Sequence, residues 1–395
     1  MTLLLQWMCY SLSLLIDANA QILSTFGGQA PHRAPHLRAL PVRGLIAFGD
    51  SLSDTGNAQA LFPDGVPGGF PSGLPYGITW PGSSSTGRSS DGKLMVDYFV
   101  KALGLGEGAV AYLEDLRPDH RKSVNFAQTG ATAAAASFQN PFHLMLQVKQ
   151  FLQFRRRVIS RAREIDQGTV KGCNNLLPAP SFFKKSLYFI LVGGNDINHN
   201  LKPEFGNKSL EEIRDSIIPR AVAAVESAIR TLHRHGARNF LVFGRPPQGC
   251  TPLFKTLYGG KNPGDYDAGG CLIPYNNLTL TLQLGLKAAT DRLRKQHRDS
   301  RFFFADLYNS FLHIKKNAER YGFADTDNAC CGSGSPYNFS PRRKCGSPGV
   351  PVCVDPSKFV SWDGNHFTQK YHKLVANLIL SGKFVDPPFN LRPKS

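Results

Sequence analysis

The sequence lacks the short motifs that identify several large classes of enzyme. No G-x-G-x-x-G opens a helix and no G-x-x-x-x-G-K-[ST] is present, so neither a dinucleotide site nor a P-loop is supported. H-E-x-x-H is absent, which excludes a zincin. G-x-S-x-G, the usual nucleophile turn of α/β-hydrolases, is missing too. No two cysteines stand in C-x-x-C spacing, which argues against a structural zinc site.

Long apolar runs are also missing after residue 20. No later stretch approaches the roughly 18 apolar residues that are needed to cross a bilayer. Glycine and proline show no triplet period, which excludes a collagen. Hydrophobic residues nevertheless make up 42% of the 395 residues, which is enough for a large core and excludes a disordered tail protein.

Acidic residues are scarce relative to basic ones. The chain has 29 Asp and Glu against 46 Lys and Arg, a formal net charge of +17. Arg155-Arg156-Arg157 lies where apolar residues recur at helical spacing, so these arginines are predicted to form a solvated helix face. Because aromatic interleaving and any recognisable module are missing, nucleic acid is not an expected partner. A basic protein of this kind is expected to be attracted to acidic polysaccharide or anionic lipid surfaces.

The first 20 residues predict a signal peptide. Residues 3–16 are mostly apolar, and the segment ends in Ala18-Asn19-Ala20, an A-x-A cleavage pattern. Gln6 interrupts the apolar stretch and no Lys or Arg precedes it, so a membrane anchor or an uncleaved leader is the alternative interpretation. Three N-x-[ST] sequons agree with secretion. They predict glycosylation at Asn207, Asn277 and Asn338.

The cysteines also favour an oxidising compartment. Of the eight, Cys9 would leave with the signal peptide, and five others lie in late, loop-like sequence, which is typical of disulfides. The plausible pairings are Cys250 with Cys271, and Cys330 or Cys331 with Cys345 or Cys353. Seven cysteines remain without Cys9, which is an odd number, and Cys173 is the candidate for the unpaired thiol.

Strand and helix patterns alternate along most of the chain. Short apolar runs predict five buried strands, at 44–48, 123–127, 187–192, 239–243 and 301–305. Helical patterns cover 91–103, 141–165, 210–235, 275–297, 308–321 and 366–381. Continuous apolar strands between helices predict an α/β fold, a three-layer α/β/α sandwich with a five-stranded parallel sheet of flavodoxin-like type. We expect one domain at 43–385, preceded by an extension at 21–42 and followed by a tail at 386–395.

Three segments at predicted strand ends carry polar or small residues suited to catalysis. Ser51 follows the first strand on a glycine-containing turn, where a nucleophile gains exposure, although an N-cap serine is the alternative. Gly130 follows the second strand, and its backbone N–H could approach a ligand oxygen closely. Asn195 follows the third strand and could donate a side-chain hydrogen bond. A turn glycine and an Asx turn are the simpler interpretations of these last two.

The fourth segment brings an acid and an imidazole together near the end of the chain. In Trp362-Asp363-Gly364-Asn365-His366, Asp363 stands three residues before His366, within one turn of chain. The carboxylate can therefore hold the imidazole in one tautomer and stabilise it once it takes a proton. A lone histidine is usually only a surface or core residue, but its position in an α/β chain with a strand-end serine favours catalysis.

Together these segments resemble the GDSL esterase/lipase family of the SGNH-hydrolase superfamily, and the plant secreted branch fits best. The four blocks are Phe-Gly-Asp-Ser-Leu-Ser-Asp-Thr-Gly-Asn at 48–57, Asn-Phe-Ala-x-x-Gly-Ala at 125–131, Gly-x-Asn-Asp at 193–196 and Trp-Asp-x-x-His at 362–366. The resemblance implies extracellular localisation in the apoplast or cell wall. The sequence departs from the family at Phe367, where proline is more usual. This difference could reshape the acyl pocket.

The resemblance also implies a role for each candidate residue. Ser51 is the nucleophile, and its backbone N–H is one oxyanion donor. Gly130 supplies a second donor through its backbone N–H, and Asn195 a third through its side chain. His366 is the general base and then the acid, and Asp363 orients it. Asp50, the neighbour of Ser51, is assigned to turn geometry.

The function implied is a secreted serine esterase that hydrolyses carboxylic esters through an acyl-enzyme. No metal or organic cofactor is needed, the partner is a small or polymer-bound ester, and a monomer is expected. An acyltransferase with the same triad, or a non-catalytic cell-wall protein on the same fold, are the alternatives. The sequence leaves lipid, cutin-like, acetylated polysaccharide and phenolic esters open as substrates.

Overall fold

A mainly parallel β-sheet lies at the centre of this computed structural model, which describes residues 42–63, 73–113, 118–135, 141–168, 177–202, 207–260 and 262–389. The predicted signal peptide, Cys9, Cys173 and all but residue 42 of the predicted N-terminal extension lie outside these residues. No helix within the described ranges is long and apolar enough to span a membrane.

Among the described residues, six strands form the sheet: β1 (Gly44–Gly49), β2 (Ser123–Asn125), β3 (Ser186–Leu191), β4 (Asn239–Phe243), β5 (Arg301–Ala305) and β8 (Val385–Asp386). Their order across the sheet is β2-β1-β3-β4-β5-β8. The first five run parallel to their neighbours. The predicted five-stranded sheet is corrected by β8, which pairs with β5 in the antiparallel direction. Two residues are too few to show a strand period, so no local pattern in the sequence predicts β8.

Helices cover both faces of the sheet. They are α1 (Asn57–Leu61), α2 (Met95–Ala102), α3 (Leu144–Asp166), α4 (Phe182–Lys185), α5 (Gly194–Leu201), α6 (Leu210–Glu212), α7 (Ile218–Arg234), α8 (Pro252–Tyr258), α9 (Ile273–Gln296), α10 (Leu307–Lys316) and α11 (Gln369–Leu380). Alternate residues of β1 point to opposite layers, because side chains alternate along a strand. Ile46 and Phe48 pack in the core cluster that includes α3, α7 and α9. Leu45 and Ala47 pack in the cluster that includes α2 and α11. The predicted three-layer sandwich is thereby confirmed.

Two predicted helices differ from the structure for identifiable reasons. The pattern over 210–235 is interrupted by a π-turn at Ile213–Ile217. Pro219 stands two residues after this turn, and it has no N–H to continue the regular hydrogen bonding. The helix predicted from residue 366 begins only at Gln369, where the Thr368 hydroxyl accepts from the N–H of Tyr371. His366 therefore lies in a turn before the helix rather than on it.

A second, two-stranded sheet and two disulfides support that turn. The strands are β6 (Asp325–Ala329) and β7 (Phe359–Ser361), which pair in parallel. The disulfides join Cys330 to Cys353 and Cys331 to Cys345, and a third joins Cys250 to Cys271. The backbone N–H of Cys331 donates to the carbonyl of Trp362 at 2.7 Å. The cross-linked segment thus holds the residue immediately before Asp363.

The three sequons lie in different surroundings. Asn207 and Asn277 are exposed. Asn338 is half-buried, and its side-chain nitrogen donates to the carbonyl of Ala329 at 2.8 Å. A glycan on this nitrogen would leave it one N–H for Ala329, but it would have to be accommodated at a half-buried position, whereas the other two asparagines face solvent.

Candidate active site

Ser51 sits in a tight turn directly after the first strand. The N–H groups of Ser53 and Asp54 both donate to the carbonyl of Asp50, which closes the turn. The helix that follows is not capped by Ser51, because the Asp54 carboxylate accepts the N–H groups of Asn57 and Ala58. Burial raises the pKa of Asp54, and these N–H donors oppose the rise. The Ser51 hydroxyl is therefore free of a capping role, and the N-cap interpretation is excluded.

The hydroxyl of Ser51 instead meets His366. Its Oγ lies 2.8 Å from His366 Nε2. The other ring nitrogen, Nδ1, lies 2.7 Å from Asp363 Oδ2. A carboxylate oxygen can only accept, so Nδ1 carries the proton and Nε2 presents its lone pair to Ser51. Three residues separated by as many as 315 positions in the chain thus form one continuous hydrogen-bonded line.

Asp363 is held by backbone donors as well as by the imidazole. Its Oδ1 accepts the N–H of Asn365 at 2.9 Å and that of His366 at 2.7 Å. Gly364, at φ +93°, allows the chain to fold back over the carboxylate, a backbone conformation that favours glycine. Burial raises the pKa of Asp363, but its interactions with the adjacent His366 and these donors outweigh burial and lower the pKa to about 2. The carboxylate therefore stays ionised next to the imidazole.

Tyr76 is a further contact of Asp363 that the sequence analysis missed. Its hydroxyl donates to Asp363 Oδ2 at 2.8 Å, the same oxygen that faces His366 Nδ1. Its ring packs edge-on against Trp362, with centroids 6.0 Å apart. Burial and the nearby carboxylate raise the pKa of Tyr76, so it remains a donor. The two residues are 287 positions apart, and no local pattern in the sequence links them.

Asn195, in the first turn of α5, is tied to the loop that carries Gly130. The Asn195 side-chain nitrogen donates to the carbonyl of Ala131 at 2.9 Å, one residue after Gly130. Gly130 itself has φ +79°, which favours glycine. Asp196 accepts the backbone N–H groups of Ala133 and of residue 134 at 2.7 and 3.0 Å. Burial raises the pKa of Asp196 to about 6, even though these donors oppose the rise.

A narrow cleft opens at this point of the molecule. Its cavity volume is only about 20 Å³, roughly the space of one water molecule. Its walls are formed by Ser51, Leu52, Asn195, Asn198, Arg245, Pro246, Gln248, Thr251, Asn365, His366 and Phe367. Gly130 is outside this lining set. The cleft therefore joins Ser51, His366 and Asn195, and its other walls are mostly polar.

Two neighbours of the catalytic candidates have clear structural roles. Asp50 is fully buried and pairs with Arg245 Nη1 at 3.0 Å, and its other oxygen accepts the N–H of Leu52. This agrees with its assignment to turn geometry. Phe367 is buried and stacks on Tyr371 with ring centroids 4.3 Å apart. It thereby closes one side of the cleft.

One group of potential metal ligands occurs among the described residues, and it is far from this cleft in the fold. His233, His297 and Asp299 precede the starts of β4 and β5, whereas Ser51 follows the end of β1. Arg238 pairs with Asp299 at 2.9 Å, and Arg230 lies 3.5 Å from His297. Their positive charges disfavour a cation there, so the cluster offers nothing to the chemistry at Ser51.

Known proteins are similar in sequence to this chain over most of its length. Residues 45–379 match the family described as GDSL-like Lipase/Acylhydrolase. A GDSL esterase/lipase of Arabidopsis thaliana is 35% identical over 350 residues, 88% of this chain and 86% of its own. Acetylajmalan esterase 2 of Rauvolfia serpentina is 35% identical over 347 residues, 86% of this chain and 90% of its own. Acetylajmalan esterase 1 of the same plant is 37% identical and covers 85% of both chains.

Proposed function

The chain belongs to the GDSL-like lipase/acylhydrolase family and is a carboxylic ester hydrolase, and from this premise we propose that Ser51 is its nucleophile. The observation that carries the proposal is the line of hydrogen bonds from Ser51 Oγ through His366 to Asp363, at 2.8 and 2.7 Å. These distances lie within the range that proton transfer between a nucleophile and its base requires.

In the first half of the reaction, Ser51 Oγ attacks the ester carbonyl while its proton passes to His366 Nε2. Asp363 stabilises the imidazolium that forms, and it keeps the ring oriented. The carbonyl oxygen becomes an oxyanion, which accepts hydrogen bonds from the N–H of Ser51, the N–H of Gly130 and the amide of Asn195. An amide has two N–H groups and Asn195 uses one on Ala131, so the second remains for the substrate.

In the second half, the imidazolium proton passes to the leaving alcohol oxygen as the C–O bond breaks. The acyl group is then esterified to Ser51. A water molecule gives its proton to His366 Nε2 and attacks the acyl carbon, and the proton returns to Ser51 as the acid leaves. Buried donors that are aimed at the oxyanion provide the largest contribution to the rate, since each is worth roughly 3–4 kcal/mol.

We infer a short acyl group for the substrate. The cleft beside Ser51 has a volume of about 20 Å³, and Phe367, which stacks on Tyr371 behind it, forms one of its walls. A long acyl chain has no apolar channel among the described residues that line this cleft. The names of two similar proteins specify acetylated compounds, and acetyl, one of the smallest acyl groups, requires the least widening of the cleft.

We also propose that the protein works outside the cell. Three disulfides and two exposed sequons support an oxidising, secretory environment. The formal net charge of +17 would hold such a protein on acidic polysaccharide or anionic lipid. Fractionation of the expressed full-length protein tests the location: recovery inside the cell without a glycan would contradict it.

Short p-nitrophenyl esters test the enzymatic proposal. The wild type should hydrolyse p-nitrophenyl acetate and be labelled by a fluorophosphonate probe at Ser51. The Ser51→Ala variant should keep the melting temperature of the wild type and lose both the hydrolysis and the labelling. Ser53→Ala serves as the matched control on the same turn. Full turnover in Ser51→Ala would end the assignment, and transfer of acetyl to an added alcohol in preference to water would identify an acyltransferase.

A further inference from the structure

Two side chains in the wall of the cleft carry polar atoms that lack a partner. Arg245 and Gln248 are each 7% exposed and line the cleft together with Ser51 and His366. Arg245 Nε and Gln248 Oε1 are both buried and make no hydrogen bond in the described structure. An unsatisfied buried polar group is costly, and such groups in native proteins call for an explanation.

Arg245 is fixed in place by its other contacts. Its Nη1 donates to Asp50 at 3.0 Å, and its guanidinium lies against Gly194. A Cβ at position 194 would come within 2.3 Å of Arg245 Nη2, so glycine there makes room for the guanidinium. Asp50 thus occupies one nitrogen, while Nε, which belongs to the side-on edge that usually binds oxygen atoms in pairs, is left unused.

Gln248 presents an acceptor in the same wall, and both side chains contact Gly194. Its Nε2 donates to the carbonyl of Gly194 at 3.3 Å, which fixes the orientation of the amide and makes the unpartnered atom the oxygen. The cleft wall therefore offers one cationic N–H donor and one neutral acceptor. The other polar lining residues, Asn198, Thr251 and Asn365, add no charge.

A hydroxyl group matches this pair, because it accepts one hydrogen bond and donates another. A carboxylate matches less well: it cannot donate to Gln248 Oε1, and Asp50 already balances the charge of Arg245. We propose that Arg245 and Gln248 form a subsite for the hydroxyl groups of a polyol or carbohydrate alcohol whose ester Ser51 cleaves. The inference rests on the proposed function and names the alcohol part of its substrate.

Entry of this alcohol has to widen the cleft. Both unpartnered atoms are shielded from water in the structure, and the cavity is too small for a whole substrate. The substrate hydroxyl then supplies the two hydrogen bonds that the free protein lacks. A substrate without hydroxyl groups opens the same wall and leaves both atoms unpaired, so the subsite discriminates against it.

Three acetyl esters of one six-membered ring test the proposal. Mono-O-acetyl-inositol carries hydroxyl groups, cyclohexyl acetate carries none, and 4-carboxycyclohexyl acetate carries a carboxylate. We expect kcat/KM of the wild type to be at least about tenfold higher for acetyl-inositol than for cyclohexyl acetate. Free inositol should also compete with p-nitrophenyl acetate, whereas cyclohexanol should not. This competition needs no variant.

Two variants remove the hydrogen-bonding atoms with little change in volume. Gln248→Met removes the acceptor, and Arg245→Lys keeps a positive charge near Asp50 but removes Nε. In both variants, kcat/KM for acetyl-inositol should come within about threefold of kcat/KM for cyclohexyl acetate. Gln153→Met, an exposed position on α3, is the control and should keep the wild-type ratio. Melting temperatures report whether the variants fold.

The outcomes separate this inference from the proposed function. Ser51-dependent hydrolysis of p-nitrophenyl acetate without a preference for acetyl-inositol overturns the subsite alone. Preference for the carboxylate ester, or a preference that survives in both variants, also overturns it. Failure of the proposed function would give a different result: hydrolysis of p-nitrophenyl acetate would be absent, or it would persist in Ser51→Ala.

Discussion

The hydroxyl of Tyr76 and the imidazole of His366 converge on a single oxygen, Oδ2 of Asp363, at 2.8 and 2.7 Å. Tyr76 comes from a loop before α2 and is buried against Trp362. It therefore restrains the carboxylate from the side opposite to the backbone donors on Oδ1. This contact makes Tyr76 a positioning residue that acts through Asp363, and it never needs to touch the substrate.

Tyr76→Phe removes that hydrogen bond while keeping the ring. We expect kcat/KM to fall about three- to tenfold, or about 0.7–1.4 kcal/mol. This is less than the roughly 1.5–3 kcal/mol that a hydrogen bond to a charged group is worth, because the backbone donors on Oδ1 still hold the carboxylate. The carboxylate then attracts the Nδ1 proton more strongly, so the acid limb of the pH profile of kcat/KM should move to higher pH. The profile distinguishes positioning from mere packing. Tyr98→Phe, on α2, is the control, and an unmoved acid limb in Tyr76→Phe argues for packing alone.

Asp363→Asn should change how stability depends on pH. The pKa of Asp363 is lowered from 3.8 to about 2 in the folded protein, so its ionised form stabilises the fold by roughly 2 kcal/mol above pH 4. That contribution is lost as the pH falls through about 2. The free energy of unfolding, from urea titrations at several pH values, should therefore drop more steeply between pH 4 and 2 in the wild type than in the variant. Parallel curves would contradict the assignment.

Asn195→Ala removes one proposed oxyanion donor. The expected loss in kcat is about 10²- to 10³-fold with little change in KM, because the interaction strengthens only as charge develops on the carbonyl oxygen. Steady-state kinetics with p-nitrophenyl acetate separates the two parameters. The variant also loses the hydrogen bond to Ala131, so its melting temperature is measured alongside. A rise in KM with kcat intact would assign Asn195 to ground-state binding.

The pair Cys331–Cys345 should support both stability and activity. Its partners are 14 residues apart in sequence, and closing such a loop is worth about 3 kcal/mol in the unfolded-chain picture. The double variant Cys331→Ala with Cys345→Ala should unfold at lower urea concentration. It should also lose activity before it unfolds, because Cys331 binds the carbonyl of Trp362 next to Asp363. Loss of activity only at the urea concentrations that unfold the variant would show that the disulfide acts through global stability alone.

The sequence by itself determined the parallel core and the central residues of the candidate site. The five parallel strands have apolar centres and are buried except at Arg301, which is a local signal, and the structure confirms them within one or two residues at each end. The carboxyl ends of β1 and β3 lie side by side in the sheet, so Ser51 and Asn195 follow neighbouring strands. Asp363 and His366 are three residues apart, and their hydrogen bond is local as well.

The tertiary structure alone decided the features that depend on contacts between distant segments. The pairing of Cys330 with Cys353, the two-residue strand β8 and the bond between Tyr76 and Asp363 have no period or spacing that a sequence could display. Nothing in the sequence distinguishes Arg245 from the other basic residues. Its contacts with Gly194 and Asp50 in the fold hold its guanidinium at the cleft. Such contacts arise because folding brings together side chains whose sequence separation carries no physical information about their distance in space.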